Sequence, residues 1–345
     1  MSSQPQPFER RQFASDNISG IAPEAWEELQ RANAGHAASY GDDEWTASVA
    51  NTVRDLFETD CDVYFVFNGT AANSLALATL CQSYNSVICH SHSHIETDEC
   101  GAPQFFSNGS KFLTYSGADG KLTPEAVDRL ANQRTDVHHP KSKALAITQA
   151  TEYGTAYSVD EVAALCAVAQ KNGLKTHMDG ARFANAVARL DAAPADLTWR
   201  AGIDVLSFGG TKLGMPVGDM VVFFNRDLSD EFAFRCKQAG QLASKMRYLA
   251  APWVGMLRDG AWLNHATHAN DMADYLAARL AEKGVKALYP VQANAVFADF
   301  SAAQCKTLWG KGWKFYNFLA EGGARLMCSW DITKDDIDAL IADLD

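Results

Sequence analysis

The sequence predicts an α/β fold: a large domain with a mostly parallel sheet covered by helices, then a smaller α+β domain at the C-terminus. Three observations predict it. Short β-branched and aromatic runs alternate with helix-like segments between residues 46 and 224, and alternating βα units place a parallel sheet between helical layers. The alternation stops after Arg258, where a long helical stretch to about residue 283 precedes two short strands and a last helix. The 345 residues are 47% hydrophobic, enough for one large domain or two modest ones. The expected division is an arm and helix over 1–45, a large domain over 46–257 and a small domain over 258–345.

The elements follow in order. Residues 1–12 read as a loose polar arm. Pro23 suits the first position of a helix over 23–33, where a missing N–H costs nothing. Residues 35–46, rich in Gly and Asp, read as a polar loop. The run 62–67 is a strand by its β-branched and aromatic content. Asn68-Gly69-Thr70 breaks it, and 71–80 is a helix of small residues and leucines. Residues 86–89 form a short strand. Thr123 caps a further helix opened by Pro124. Residues 144–148 are a strand, and Ser158 and Glu161 have the spacing of a capping box before a helix to Lys171. Asn172-Gly173 stops that helix. Runs 174–178, 204–208 and 219–224 complete the large sheet. In the small domain, 295–300 and 325–328 are strands and Thr333 caps the last helix.

Composition removes several function classes. A net charge of −12 argues against a nucleic-acid surface, which needs clustered Lys and Arg. The 8 cysteines are scattered, with no pair at the spacing of a zinc knuckle or redox site. Scattered thiols in a chain this long point to a reducing, cytoplasmic setting. Residues 1–11 lack the apolar core of a signal peptide, and no run approaches the ~18 apolar residues of a membrane span. A soluble cytoplasmic protein that binds neither nucleic acid nor membrane is expected.

The chemistry gathers at strand ends. Asp179-Gly180-Ala181-Arg182 follows one predicted strand and Thr211-Lys212 follows another. Ligands of open α/β sheets bind outside the carboxyl ends of the strands. An acid facing a pyridine nitrogen and a lysine able to form an imine are what a pyridoxal phosphate (PLP) site needs. Asp179 also reads as a helix N-cap, and Arg182 as half of a surface ion pair. Glycines at 209 and 210 would let Lys212 approach a ligand, and the apolar flanks favour a buried, functional amine. Asn68-Gly69-Thr70, between strand and helix, is either an ordinary turn or a phosphate cradle of backbone N–H groups with the Thr70 hydroxyl. Neither the Walker pattern nor the dinucleotide glycine fingerprint is present. His90, His92 and His94 alternate, so on a strand they would share a face. That suits a metal-dependent hydrolase with Asp98 and Glu99 as further ligands, or a single imidazole, His94, stacked on a flat cofactor ring.

Together these residues resemble the L-threonine aldolases of the low-specificity type, PLP enzymes with the aspartate-aminotransferase fold. The resemblance runs from Ser15-Asp16 to the C-terminal helix. It includes Gly41-Asp42-Asp43, Asn68-Gly69-Thr70, Ser93-His94-Ile95, Asp179-Gly180-Ala181-Arg182, Thr211-Lys212, Pro216-Val217-Gly218 and Arg325-Leu326. It implies retro-aldol cleavage of L-threonine, L-allo-threonine and related β-hydroxy-α-amino acids to glycine and an aldehyde. Transamination or β-elimination on the same fold is the alternative, ahead of the metal-dependent hydrolase.

The resemblance also implies roles. Lys212 carries the PLP imine beside Thr211, Asp179 meets the pyridine nitrogen and Arg182 the phenolic oxygen. Gly69 and Thr70 hold the phosphate, and His94 stacks on the ring. Ser15 and Arg325 bind the substrate carboxylate. Arg247 matches a phosphate-side arginine from a neighbouring subunit, so a homo-oligomer, a dimer of dimers with sites at the dimer interface, is implied. Three positions depart from the family pattern. Trp45 stands for a tyrosine, Asp98 for an aromatic residue, and Glu152 for a substrate-contacting histidine. Trp45 and Asp98 thus become expected substrate contacts; His94 is the first candidate to position or take the substrate's proton, with Glu152 as its rival.

Overall fold

A computed structural model describes residues 11–319 and 322–344. The loose arm expected over 1–12 lies almost wholly outside the described residues. Helix α1 (Pro23–Ala32) starts at its proline. Helix α2 (Glu44–Phe57) corrects the loop reading over 35–46. Asp43 caps it by accepting from the Thr46 backbone N–H at 2.9 Å. Val49, Val53 and Phe57, four residues apart, bury one helical face.

The series continues with β1 (Asp62–Val66), α3 (Gly69–Leu80), β2 (Asn85–His90), α4 (His94–Thr97), α5 (Ala102–Phe106), β3 (Lys111–Tyr115), α6 (Pro124–Asn132), β4 (Lys141–Thr148) and α7 (Val159–Lys171). Next come β5 (Lys175–Gly180), α8 (Phe183–Leu190), β6 (Val205–Phe208), β7 (Asp219–Phe223), α9 (Phe232–Gln238), α10 (Arg247–Leu257) and α11 (Ala261–Glu282). The chain closes with β8 (Ala295–Ala298), α12 (Ala302–Gly310), β9 (Tyr316–Leu319), β10 (Gly322–Met327) and α13 (Lys334–Ala342). Strand β3 was not expected. It is an edge strand that buries only Leu113, so its sequence lacks the apolar run of an inner strand.

The large sheet runs β1-β7-β6-β5-β4-β2-β3. Strands β2 to β6 pair in parallel, and β7 is antiparallel to both β6 and β1. The carboxyl ends of β1, β2, β4, β5 and β6 therefore share one edge with the beginning of β7. The second sheet is antiparallel, β8-β10-β9.

Three main cores lie against these sheets, one on each face of the large sheet and one on the small sheet, and α11 serves two of them. Trp262 and Ala266 join one core of the large sheet, whereas Met272, Leu276 and Leu280 join that of the small sheet. Phe13 also belongs to the small-sheet core. Its backbone bonds to Lys314 and Met327, each at 2.8 Å. That anchoring fixes the segment carrying Ser15, Asp16 and Asn17 between the two sheets.

Candidate active site

Asp179 ends β5 and is only 4% exposed. Its Oδ1 accepts from the Ala181 N–H at 3.0 Å and its Oδ2 from Asn73 Nδ2 at 2.9 Å. The same Asn73 amide donates to Glu99 Oε1 at 2.8 Å, and Glu99 Oε1 lies 2.9 Å from His94 Nδ1. One amide thus couples the strand-end acid to the partner of the imidazole. The hydrogen bond to Glu99 raises the His94 pKa above the ordinary histidine value, burial opposes it, and Asp179 and Glu152 add to the rise. Burial also pushes the Glu99 carboxyl up. The shared hydrogen bond favours the charged imidazole, whose side chain keeps 33% of its exposure while Glu99 keeps none. Water reaches the cation there.

Lys212 sits in a short turn directly after β6 (Thr211–Leu213). Its ammonium has no hydrogen-bond or ion-pair partner among the described residues. The glycines before it are also required by packing. A Cβ on Gly209 would meet the Ala181 carbonyl oxygen at 2.7 Å, and one on Gly210 the Met215 sulfur at 2.6 Å. The turn is held by Asp219, the first residue of β7, whose Oδ1 accepts from Gly210 N at 2.8 Å and from Thr211 N and Oγ1 at 3.2 Å.

Gly69 and Thr70 open α3, with Asn68 accepting from Ala71 N at 3.0 Å. The first N–H groups of a helix have no partner within it and carry the positive end of its dipole. The deep part of the cleft, about 340 Å³, is lined by this helix start together with Asp179, Thr211, Lys212 and Asp219.

The outer part, about 600 Å³, shares His94, Asp98, Glu152 and Lys212 with the deep part and adds Ser15, Arg182 and Arg325. Arg182 makes a two-pronged bond to Asp16 at 2.8 and 3.0 Å. Asn294 donates to the same carboxylate at 3.0 Å and to the Cys328 carbonyl at 2.7 Å. Burial would raise the Asp16 pKa, but the charges of Arg182 and Lys212 and the hydrogen bonds hold it below the usual aspartate value. Arg325 donates to the Ala14 carbonyl at 3.2 Å and lies over the Tyr316 ring. Glu152 rides on a loop locked by Gln149, which donates to the Tyr157 carbonyl at 2.7 Å and accepts from Tyr157 N at 2.9 Å.

This donor set fits PLP. A buried carboxylate, a lysine without a partner and a glycine-opened helix start face one cavity of the size of a small cofactor. Residues 12–303 match the model of the beta-eliminating lyase family. The chain is 58% identical to a low specificity L-threonine aldolase of a Pseudomonas species and 57% identical to one of Pseudomonas aeruginosa, covering 97% of both partners in each case. The chain belongs to this family of low-specificity L-threonine aldolases. Its fold superposes on a threonine aldolase of Leishmania major with a TM-score of 0.91 at 27% identity, covering 96% of this chain and 98% of that one.

In this member of the aldolase family, one cleft brings together Ser15, Gly69, Thr70, His94, Asp98 and Glu152 with Asp179, Arg182, Thr211, Lys212 and Arg325. It does not include Trp45 or Arg247. Trp45 packs against one core of the large sheet. Arg247, at the start of α10, lies over the Tyr248 ring. The histidines do not share a strand face. Strand β2 ends at His90, the chain turns through Ser91 to Ser93, and His94 starts α4. His90 is buried against the Gly117 carbonyl, and His92 packs on Tyr153. Among the described residues no group of three His, Cys, Asp or Glu side chains could hold a metal ion. Sequence reasoning missed Asp16, Asn73 and Asp219 as parts of the site, and gave Glu99 only a metal role. The one local signal was the acid following Pro216-Val217-Gly218.

Proposed function

We propose that the chain cleaves the Cα–Cβ bond of β-hydroxy-α-amino acids such as L-threonine, releasing glycine and an aldehyde, with PLP held by Lys212, Asp179, Gly69, Thr70 and Thr211. The observation that carries this reading is the convergence of Lys212 and Asp179 on one cleft whose outer half holds Arg325 and Ser15. PLP bound there supplies an electron sink for the carbanion left at Cα. Asp179 would face the ring nitrogen and favour its protonated form. Arg325 grips the substrate carboxylate, ideally through two parallel bonds, with Ser15 adding a hydroxyl. This grip orients the Cα–Cβ bond for cleavage.

Glu152 takes the proton of the β-hydroxyl, directly or through water. It lines both halves of the cleft and is a carboxylate among cations. His94, held toward its charged form by Glu99, is the poorer acceptor and serves to cover the ring. Asp98, at the same junction, contacts the substrate's β-substituent.

Incubation of the purified protein with L-threonine tests the reading. Equal amounts of acetaldehyde and glycine are expected. A keto acid with ammonia would mean elimination, and a keto acid with an aminated cofactor would mean transamination.

We infer a cytoplasmic homo-oligomer, a dimer of dimers, in which Arg247 of the partner subunit reaches the phosphate end. No helix among the described residues is long and apolar enough to cross a membrane. Light scattering of the purified protein measures the assembly.

A further inference from the structure

The phosphate end of the cleft contains a carboxyl group. Asp219 is 6% exposed. Strand β7 is antiparallel, so this first residue, paired with Val66 at the end of β1, lands beside the Asn68-Gly69-Thr70 turn. Its inner oxygen is committed to Gly210 and Thr211. Its outer oxygen, Oδ2, accepts no hydrogen bond among the described residues and lies 3.4 Å from where a Cβ on Gly69 would be. An unpaired oxygen of a buried side chain thus lies beside the helix start proposed to hold the phosphate.

Two anions side by side in a site shielded from water repel strongly. A phosphate monoester carries nearly two negative charges near neutral pH. The arrangement is favourable if Asp219 enters the complex neutral, because its hydroxyl then becomes one more donor to the phosphate. We propose that Asp219 binds the cofactor's phosphate as a protonated carboxyl, so that each phosphate bound takes up one proton from solvent onto Oδ2 while Oδ1 keeps the Lys212 turn in place. The proton stays on Asp219 and no bond is made or broken in the phosphate. The proposal rests on the reading that Gly69 and Thr70 hold the phosphate. Burial, which raises the Asp219 carboxyl despite its three donors and Lys212, acts in the same direction.

The titratable and charged groups around this end are Lys212 on its turn, His94 and Asp98 from the α4 region, Asp179 on β5 and Glu152 on its loop. The proposed assembly adds the partner's Arg247 at this end.

The test titrates the full chain, freed of cofactor, with pyridoxine 5′-phosphate, which has no aldehyde and cannot react with Lys212. Inorganic phosphate serves as a second probe. Between about pH 8 and 9 both probes are mostly dianions, and a one-proton linkage weakens binding by up to about tenfold per pH unit. The wild type should show this weakening, and D219N, of the same shape but unable to titrate, should be flatter by that one-proton term. Calorimetry in two buffers of different ionisation heat should find one more proton taken up by the wild type than by D219N. Equal pH slopes, or no proton uptake by the wild type, would overturn the proposal even if D219N folded poorly. Failure of the underlying reading looks different: G69A would then bind both probes as the wild type does.

Discussion

In the deep half of the cleft the polar groups stand at strand ends and on the turns that follow them: Asp179 after β5, Lys212 after β6, Gly69 and Thr70 after β1. In the outer half they come from scattered places, among them the segment at 15–17, the α4 region, the loop at 152, the turn at 182 and strands β9 and β10. The deep half inherits its geometry from the sheet, whose hydrogen-bond ladder sets the spacing of neighbouring strand ends. The outer half depends on how the small sheet, α11 and the N-terminal segment pack, and Asp16 joins the two. Holding an invariant cofactor suits the rigid edge, whereas admitting substrate suits elements anchored by side-chain bonds.

Substitutions in the two halves should separate these roles, and the largest effect should come from the deep half. K212A should lose the visible absorbance of a lysine-bound cofactor together with activity; a surviving band would remove Lys212 from its role. In the outer half, E152Q should lower kcat by about 10²–10⁴-fold, the usual worth of a positioned acid or base, with KM little changed and cofactor absorbance intact. An unchanged kcat and pH profile would return the proton to His94.

The junction itself breaks with D16N, which leaves the Arg182 charge buried and uncompensated, at a cost of about 3–5 kcal/mol in urea unfolding. Because the folded-state pKa of Asp16 is lowered, the stability it contributes is present above the unfolded aspartate pKa. It is lost as pH falls through the lowered folded value. The D16N deficit should therefore be full near neutrality and shrink in acid.

The smallest change is E99Q. Glu99 raises the His94 pKa, so any limb of the rate profile that reports loss of the His94 proton lies above the ordinary histidine pKa. E99Q should move that limb to lower pH. The stability from the pair follows the same sign: it is full below the unfolded histidine pKa and fades as pH rises through the raised folded value.

Much of the deep half was legible in the sequence. A strand followed by Asn-Gly-Thr, or by a lysine among glycines, places a reactive group at a sheet edge whatever the rest of the chain does. The helix over 44–57 was missed although its apolar spacing was available, because the polar residues before it were read too far. Strand β3, at the edge, had too few apolar residues to announce itself.

The sequence alone determined the class of sheet, the placing of Asp179, Lys212 and the Asn68-Gly69-Thr70 turn at strand ends and, through its resemblance, the family. Only the tertiary structure decided the partners. Asn73 bonds to Asp179 across 106 residues and Arg182 to Asp16 across 166, separations at which neither period nor motif carries information. Direction was decided there too. The run beginning at 219 reads as one more strand of a parallel series, which would put its first residue on the far edge. Because β7 runs antiparallel, Asp219 instead stands against Gly69, with its carboxyl beside the turn proposed to hold the phosphate.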